Sequence, residues 1–180
     1  GTVTILTNWF FGPGTDPGYD AVSVLGRNRH EYGDATAEDD FGGEVNLNIY
    51  DSYLEGAVDQ VRLQEEPVPT LPQTTFNVNI GGSPSLMNVF GLTRDQAINL
   101  GFFNLAGGGM RDDVDATYND FLVNLYDGVE DVVYHKADES YLGLVTFLPA
   151  KRLASDIQLD TNPDSVNDYD VTVDLTATVR

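Results

Sequence analysis

The sequence predicts an all-β fold, a single β-sandwich or jelly-roll barrel with one or two short helices in its loops. Two observations support this prediction. Apolar and polar residues alternate along several short segments, as in strands that bury one face, and glycine- and proline-rich pieces separate these segments. The 180 residues fit one domain, residues 1 to 180, because a domain of this size buries about 70 % of the surface that its unfolded chain exposes.

The alternating segments are the predicted strands. The longest runs from Val171 to Val179, where apolar residues alternate with Thr and Asp. The others are the segments around Val3 and Ile5, from Ala21 to Leu25, from Val45 to Ile49, and from Phe76 to Ile80. Each of them is expected to bury one face and to expose the other.

Between residues 121 and 148 the sequence predicts a meander of strands. Asp127-Gly128 separates two apolar runs, and this dipeptide favours a type I′ hairpin turn. The following run, Tyr141 to Leu148, is apolar on both faces, which predicts a central strand covered on both sides.

Helices are expected at two places. Thr93 and Gln96 have the spacing of a capping box and Gly101 can end the helix, which predicts about two turns near residues 94 to 100. A second short helix is predicted from Tyr53 to Leu63. The proline-rich residues 65 to 72 form an extended connector inside the domain, since three prolines exclude a helix there. No internal repeat is detected.

The most informative feature of the composition is its charge. Asp and Glu number 29 against 9 Lys and Arg, so the net charge is −20. The acids are mostly Asp, and Lys136 and Lys151 are the only lysines. Repulsion within such a surface is screened at molar salt, where the Debye length is about 3 Å. The pattern resembles proteins of extremely halophilic archaea and their viruses; an ordinary acidic secreted protein is the alternative.

The same features exclude several classes of function. A negative surface repels phosphate backbones, so we expect no direct binding of nucleic acid. No apolar run approaches the ~18 residues of a membrane span, and residues Gly1 to Asn8 lack the character of a signal peptide, so we expect a soluble protein without a transmembrane segment. The chain has no cysteine, which excludes disulfides and thiol nucleophiles.

No residue is assigned a catalytic, cofactor-binding or metal-binding role. His30 and His135 have no sequence partner at the spacing of a triad or a metal site, and no G-x-S-x-G motif is present. His30 lies in a small basic island, where it contributes either to local salt bridges or to a subunit contact. We therefore predict that the protein is not an enzyme and uses no cofactor and no small-molecule substrate.

Two acidic loops are candidate cation sites. Asp160, Asn162 and Asp164 have the opening spacing of a calcium loop, but Ser165 replaces its glycine and Val171 its bidentate glutamate, so an EF-hand is excluded. The second loop contains Asp112, Asp113 and Asp115. Plain solvated loops are the interpretation that we favour at both places, because aspartates are frequent throughout the chain and such spacing arises by chance.

Two aromatic clusters are candidate contact surfaces. Trp9-Phe10-Phe11 precedes a glycine-rich loop, and Phe102-Phe103 follows the predicted helix. Three consecutive aromatic residues of a strand cannot all face one core, so at least one is expected to meet another chain. Core packing and a sugar-stacking platform are the alternatives.

In size, charge and strand layout the chain resembles the small single-jelly-roll major capsid proteins of icosahedral, membrane-containing viruses of haloarchaea. The resemblance implies a virion protein, assembled in the host cytoplasm, that forms homo- or hetero-oligomers with other capsid subunits. Two alternatives remain open: a tail-tube or head-decoration protein of a halophilic tailed virus, and a carbohydrate-binding or adhesive β-sandwich that uses Trp9.

Overall fold

The computed structural model of the protein describes residues 1–11, 20–26, 43–56, 58–65, 73–91, 95–101, 108–123 and 126–151. Within these ranges the secondary structure consists of short strands and one five-residue helix, α1 (Tyr126–Glu130). The strands are β1 (Thr2–Leu6), β2 (Trp9–Phe11), β3 (Val22–Gly26), β4 (Glu44–Tyr50), β5 (Tyr53–Glu55), β6 (Val61–Glu65), β7 (Thr75–Ile80), β8 (Val89–Phe90), β9 (Ile98–Asn99), β10 (Val114–Asp115), β11 (Val133–Tyr134) and β12 (Val145–Thr146). The predicted all-β class is confirmed.

The strands form three sheets, and the chain visits them in turn. Sheet A has the order β1-β4-β7-β10-β12, sheet B has β2-β5-β8, and sheet C has β11-β9-β6-β3. One coil therefore comprises a strand of each sheet, as in β1-β2-β3, β4-β5-β6 and β7-β8-β9. All nine strand pairings among the described residues are parallel. Stacked coils joined by parallel pairing form a parallel β-helix, or β-solenoid.

This topology does not confirm the jelly-roll layout, which is built from antiparallel strands. The topology also shows that the expectation of no internal repeat is wrong, because each coil repeats the strand arrangement of the coil before it. The repeat is hidden in the sequence because its length varies: Val3 and Leu47 are paired across 44 positions, whereas Leu47 and Val78 are paired across 31.

Several local predictions are confirmed and others are wrong. The alternating segments near the amino terminus correspond to β1, β3, β4 and β7. The hairpin at Asp127-Gly128 is wrong, since both residues lie in α1. The helix at 94 to 100 is wrong because β9 occupies residues 98 and 99, and the helix at 53 to 63 is replaced by β5 and β6.

The predicted doubly covered strand from Tyr141 to Leu148 is also wrong. Only β12 is a strand there, and its surroundings alternate: Val145 and Phe147 are buried, whereas Leu144 and Leu148 are exposed. The segment lies at the edge of sheet A, where its outer face meets solvent. The strand predicted from Val171 to Val179, most of the connector at 65 to 72, and Phe102-Phe103 lie outside the described residues.

The core consists of columns of apolar side chains at matching positions of successive coils. In sheet A the column is Leu47, Val78, Val114 and Val145, which are paired in register and almost completely buried. Sheets B and C supply further buried residues, among them Leu54, Phe90, Val61, Leu63 and Ile98. One apolar cluster thus joins all three sheets, and each coil buries its apolar side chains against its neighbours.

Next to this core, at the corner between sheets A and B, lies a buried column of polar side chains. Ser52, Asn88 and Asn119 occupy equivalent positions in three successive coils, and all are nearly inaccessible to solvent. The Ser52 amide donates to Oδ1 of Asn88, and the Asn88 amide donates to Oδ1 of Asn119, each at 3.0 Å. We call these three residues the corner ladder. It fixes the register of the coils where the chain turns.

A glycine makes room for this ladder. Gly81 directly follows β7 and has a φ of 89°, a left-handed conformation that residues with a side chain disfavour. A Cβ atom at this position would lie 2.6 Å from Oδ1 of Asn119 and equally close to a backbone oxygen. The turn therefore requires glycine for both its conformation and its packing.

Candidate functional site

The outer face of sheet A carries a regular array of polar side chains. Alternation directs Asn46, Asn48, Asn77 and Asn79 away from the apolar column, and the register places Asn46 beside Asn77 and Asn48 beside Asn79. Nδ2 of Asn77 donates to Oδ1 of Asn46 at 3.0 Å, and Nδ2 of Asn79 donates to Oδ1 of Asn48 at 3.1 Å. We call this array the amide ladder. Its exposure distinguishes it from the corner ladder.

From the third coil onwards the polar face continues as a groove of about 560 Å³. The polar residues that line it are Asn77, Asn79, Asp113, Asp115, Thr117 and Thr146. We call this feature the face groove. Its lining combines amides, carboxylates and hydroxyls, so it can exchange hydrogen bonds with a polar ligand.

The sequence-predicted acidic loop contributes to this groove, but its three aspartates do not converge. Oδ2 of Asp112 accepts the Phe76 amide at 2.7 Å, and Oδ1 of Asp113 accepts the Leu144 amide at 2.8 Å. Oδ1 of Asp115 accepts the Thr117 amide at 3.0 Å. No group of three or more acidic or histidine side chains among the described residues has the geometry to hold a metal ion. The other loop, at Asp160, Asn162 and Asp164, lies outside them.

His135 is buried and has a structural environment, whereas His30 lies outside the described residues. Nδ1 of His135 accepts the Val145 amide at 3.0 Å, so its proton lies on Nε2, which is 2.9 Å from Oε1 of Glu130. The ring thus connects α1 to β12, the last described strand of sheet A. Both ring nitrogens are engaged in this connection.

A second buried polar cluster lies on the sheet C side. Oδ2 of Asp59 is 2.7 Å from a guanidinium nitrogen of Arg62 and accepts from Nδ2 of Asn99 at 2.9 Å. Burial raises the pKa of Asp59, while Arg62 acts in the opposite direction. Oδ1 of Asp59 accepts the Gln96 amide at 3.1 Å. Both carboxylate oxygens of Asp59 accept hydrogen bonds from the following coil, at Gln96 and Asn99, so this cluster stabilises the stack.

Glu65 is a buried carboxylate with a testable pH dependence. Its Oε1 accepts the Thr74 amide at 2.6 Å. Burial raises the pKa of Glu65, with a smaller contribution from the Asp112 carboxylate, while the Thr74 bond and Arg111 oppose the rise. The folded protein therefore holds this proton at a pH where the unfolded chain, with an ordinary pKa of about 4.3, has released it. The contribution of Glu65 to the free energy of unfolding is therefore complete below a pH of about 4.3. It is lost as the pH rises through the pKa that Glu65 has in the folded protein.

We expect Glu65→Gln to remove this part of the pH dependence. The free energy of unfolding of the variant, relative to the wild type, should increase as the pH rises from 4 to 7, because only the wild type has a buried charge to form. Urea unfolding at closely spaced pH values measures the difference, with the exposed Asp131→Asn as the control. Parallel pH profiles of wild type and Glu65→Gln would contradict the assignment.

Trp9 is the most exposed large apolar residue of the described chain, at 75 %. It lies in β2, at the edge of sheet B, and its ring contacts that of Tyr53 with centroids 6.2 Å apart. The next residue, Phe10, packs against the core. This arrangement matches the expectation that the three aromatic residues cannot all face one core.

Sequence reasoning did not identify Asn77 and Asn79 as site residues. They were interpreted only as the polar positions of an alternating strand, and the signal that could have identified them is the repetition of Asn-x-Asn in the segments of β4 and β7.

The one helix of the described residues is too short to span a membrane. Comparison of the chain with models of known protein families, with curated proteins and with solved structures finds no match.

Proposed function

We propose that this chain is a structural virion protein, a shell subunit of a halophilic archaeal virus, which acts through contacts with neighbouring subunits. The observation that carries the proposal is the exposure of apolar side chains along the three strands of the first coil. Four of its apolar side chains are exposed: Val3 and Leu6 at 54 % each, Trp9 at 75 % and Leu25 at 40 %. We call these four residues the first-coil patch.

The position of this patch favours assembly. β1, β2 and β3 each lie at an edge of their sheets. An edge strand has backbone donors and acceptors that a further strand can pair with. Apolar side chains beside such an edge add the buried area that makes pairing stable, and tryptophan is among the residues that contribute most to interfaces. A neighbouring subunit that adds to this edge would continue the parallel stack.

The charge of the chain supports a saline setting for this assembly. Subunits with a net charge of −20 repel one another in dilute buffer. At molar salt the repulsion between neighbouring surfaces is screened within about 3 Å, and excluded salts strengthen apolar contacts. Assembly through the first-coil patch should therefore become more favourable as the salt concentration rises.

Light scattering of the purified protein in 3 M NaCl tests the proposal. We expect a mass of several subunits for the wild type and a shift towards one subunit for Trp9→Ser, because the substitution removes the largest apolar side chain of the patch. Tyr126→Ser, at an exposed aromatic residue in α1, is the matched control and should leave the mass unchanged. A strictly monomeric wild type at high concentration, alone and with its co-purifying partners, would exclude the shell role.

A further inference from the structure

We propose that the face groove binds an uncharged, hydroxyl-rich glycan. This inference goes beyond the proposed shell role and concerns a different surface, since the groove lies on the outer face of sheet A and the first-coil patch belongs to the edge strands. It is independent of whether the chain assembles.

The ladder is directional: in each pair the amide of a later coil donates to an oxygen of the coil before it. Nδ2 of Asn77 donates to Oδ1 of Asn46, and Nδ2 of Asn79 donates to Oδ1 of Asn48. Each carbonyl oxygen is thus left for a donor from the following coil. In the second coil, the Oδ1 atoms of Asn46 and Asn48 accept hydrogen bonds from amides of the third coil.

The fourth coil, whose strand in sheet A is β10, interrupts this pattern. The residue in register with Asn79 is Asp115, whose carboxylate has no N–H to donate. Oδ1 of Asn79 and the carboxylate of Asp115 therefore meet as two acceptors on neighbouring strands, which lie about 4.8 Å apart. Asn77 and Asp113, two positions earlier in the two segments, line the same groove as a second amide and a second carboxylate. No donor to Oδ1 of Asn77 or Asn79 comes from the described residues.

The remaining oxygens of the groove have the same character. Asp113 and Asp115 each use one carboxylate oxygen for a backbone amide, at 2.8 and 3.0 Å, and each keeps the other oxygen. Thr146, which is exposed and in register with Asp115, adds a hydroxyl that can donate or accept. The groove is therefore rich in acceptors and poor in donors, so its ligand must supply hydrogen-bond donors.

The hydroxyl groups of a glycan meet this requirement. A hydroxyl donates to a carboxylate in a strong charge-assisted bond and can also accept from a threonine hydroxyl. The groove's acceptors repeat at about 4.8 Å across the strands and about 6.6 Å along them, so successive hydroxyls of an extended chain can be engaged. The groove volume of about 560 Å³ lies in the usual range of ligand sites.

Cationic ligands fit the groove less well. The side chains of Asp113 and Asp115 belong to positions about 6.6 Å apart along the extended chain, whereas opposite oxygens around one calcium ion lie about 5 Å apart. A basic peptide would depend on charge attraction, which is screened beyond about 3 Å at molar salt. Hydrogen bonds between hydroxyls and carboxylates act at contact distance and persist there.

Isothermal titration calorimetry with defined neutral oligosaccharides tests the inference. The probes are maltohexaose, cellohexaose, mannohexaose and galactohexaose, each titrated in 0.5 M and in 3 M NaCl, with hexalysine as the rival ligand. We expect at least one oligosaccharide to bind with an affinity that changes less than about threefold between the two salt concentrations. Binding of hexalysine alone would assign the groove to a basic partner and overturn the inference, as would a panel without a binder.

One substitution distinguishes this groove from other surfaces. Asp115→Asn supplies an amide that can donate to Oδ1 of Asn79 and extend the ladder, while its oxygen can still accept the Thr117 amide. We expect this variant to lose at least tenfold in affinity and to unfold at the same or a higher temperature than the wild type.

Two controls complete the experiment. Asp131→Asn removes the same charge at an exposed position of the loop after α1 and should keep the wild-type affinity. Trp9→Ala tests the sugar-stacking platform considered from the sequence and should also keep it. Equal affinities of Asp115→Asn and Asp131→Asn, or loss of binding in Trp9→Ala alone, would overturn the assignment to the face groove.

Discussion

Replacing Asn119 with alanine is expected to lower the free energy of unfolding by about 4 kcal/mol, since it leaves several buried polar groups without partners. Oδ1 of Asn119 accepts both the backbone amide and Nδ2 of Asn88, each at 3.0 Å. Its Nδ2 donates to the carbonyl oxygens of Ile80 and Ala116, each at 2.7 Å. Because all these atoms are buried, water cannot replace the lost bonds without opening the corner between sheets A and B.

Urea unfolding in 3 M NaCl measures this effect, and Asn77→Ala is the matched control. Asn77 also lies in sheet A and also donates from its amide to two side-chain oxygens, those of Glu44 and Asn46. Its side chain is exposed, however, so water can take over these bonds and the expected loss is below about 1 kcal/mol. Equal losses for the two variants would show that the corner ladder contributes nothing special to stability.

Stability is expected to rise strongly with salt, by several kcal/mol between about 0.1 M and 3 M NaCl. The net charge of −20 makes the folded chain repel itself in dilute buffer, and screening shortens the range of this repulsion from about 10 Å to about 3 Å. At higher concentrations, exclusion of salt from the surface strengthens apolar burial in the three-sheet core. Both effects act in the same direction.

Thermal unfolding followed over this range of salt measures the rise. The double substitution Asp131→Asn with Glu139→Gln separates the two causes, because it removes two exposed charges without touching the core. It should stabilise the protein at 0.1 M salt and have little effect at 3 M, where screening is complete. A flat or falling stability curve for the wild type would reject adaptation to high salt.

The strands with clear alternation were predictable from sequence because alternation depends only on which face is buried. β4 and β7 alternate over six or seven residues, and both are found where the pattern predicts them. Strands of two residues, such as β9 and β10, are too short to produce a pattern. The capping-box signal at Thr93 and Gln96 was therefore not opposed by any strand signal, although the parallel pairing of β9 with β6 determines the structure there.

The direction of strand pairing was not predictable in the same way. Whether neighbours run parallel or antiparallel is decided by how the chain returns between strands, and here each return passes through the two other sheets. Asp127-Gly128 favours a hairpin, yet both residues lie inside α1. This helix follows β10 of sheet A and precedes β11 of sheet C, so the strands before and after it are not paired with each other. Turn propensity was overridden by the packing of Val129 into the shared core.

Part of the candidate site was visible in the sequence. Asp113 and Asp115 were singled out as part of an acidic loop, which was interpreted as a candidate cation site or a plain solvated loop and not as one side of a groove. Their partners Asn77 and Asn79 come from a strand about 36 positions earlier. Only the stacking of the coils places these four residues together, and the mismatch between amide and carboxylate appears only in that register.

The unequal coil lengths have a consequence for how such a chain can change. The pairing between β1 and β4 spans 13 more residues than that between β4 and β7, yet the side chains remain in register on both sides of β4. The alignment of the coils therefore does not depend on how many residues separate their strands. The turn at Ser83 to Ser85, between β7 and β8, is a place in the described chain where residues can be added. A foreign peptide inserted there would be displayed beside the groove while the coils before and after it kept their alignment, so the molecule can diversify its surface and conserve its interior independently.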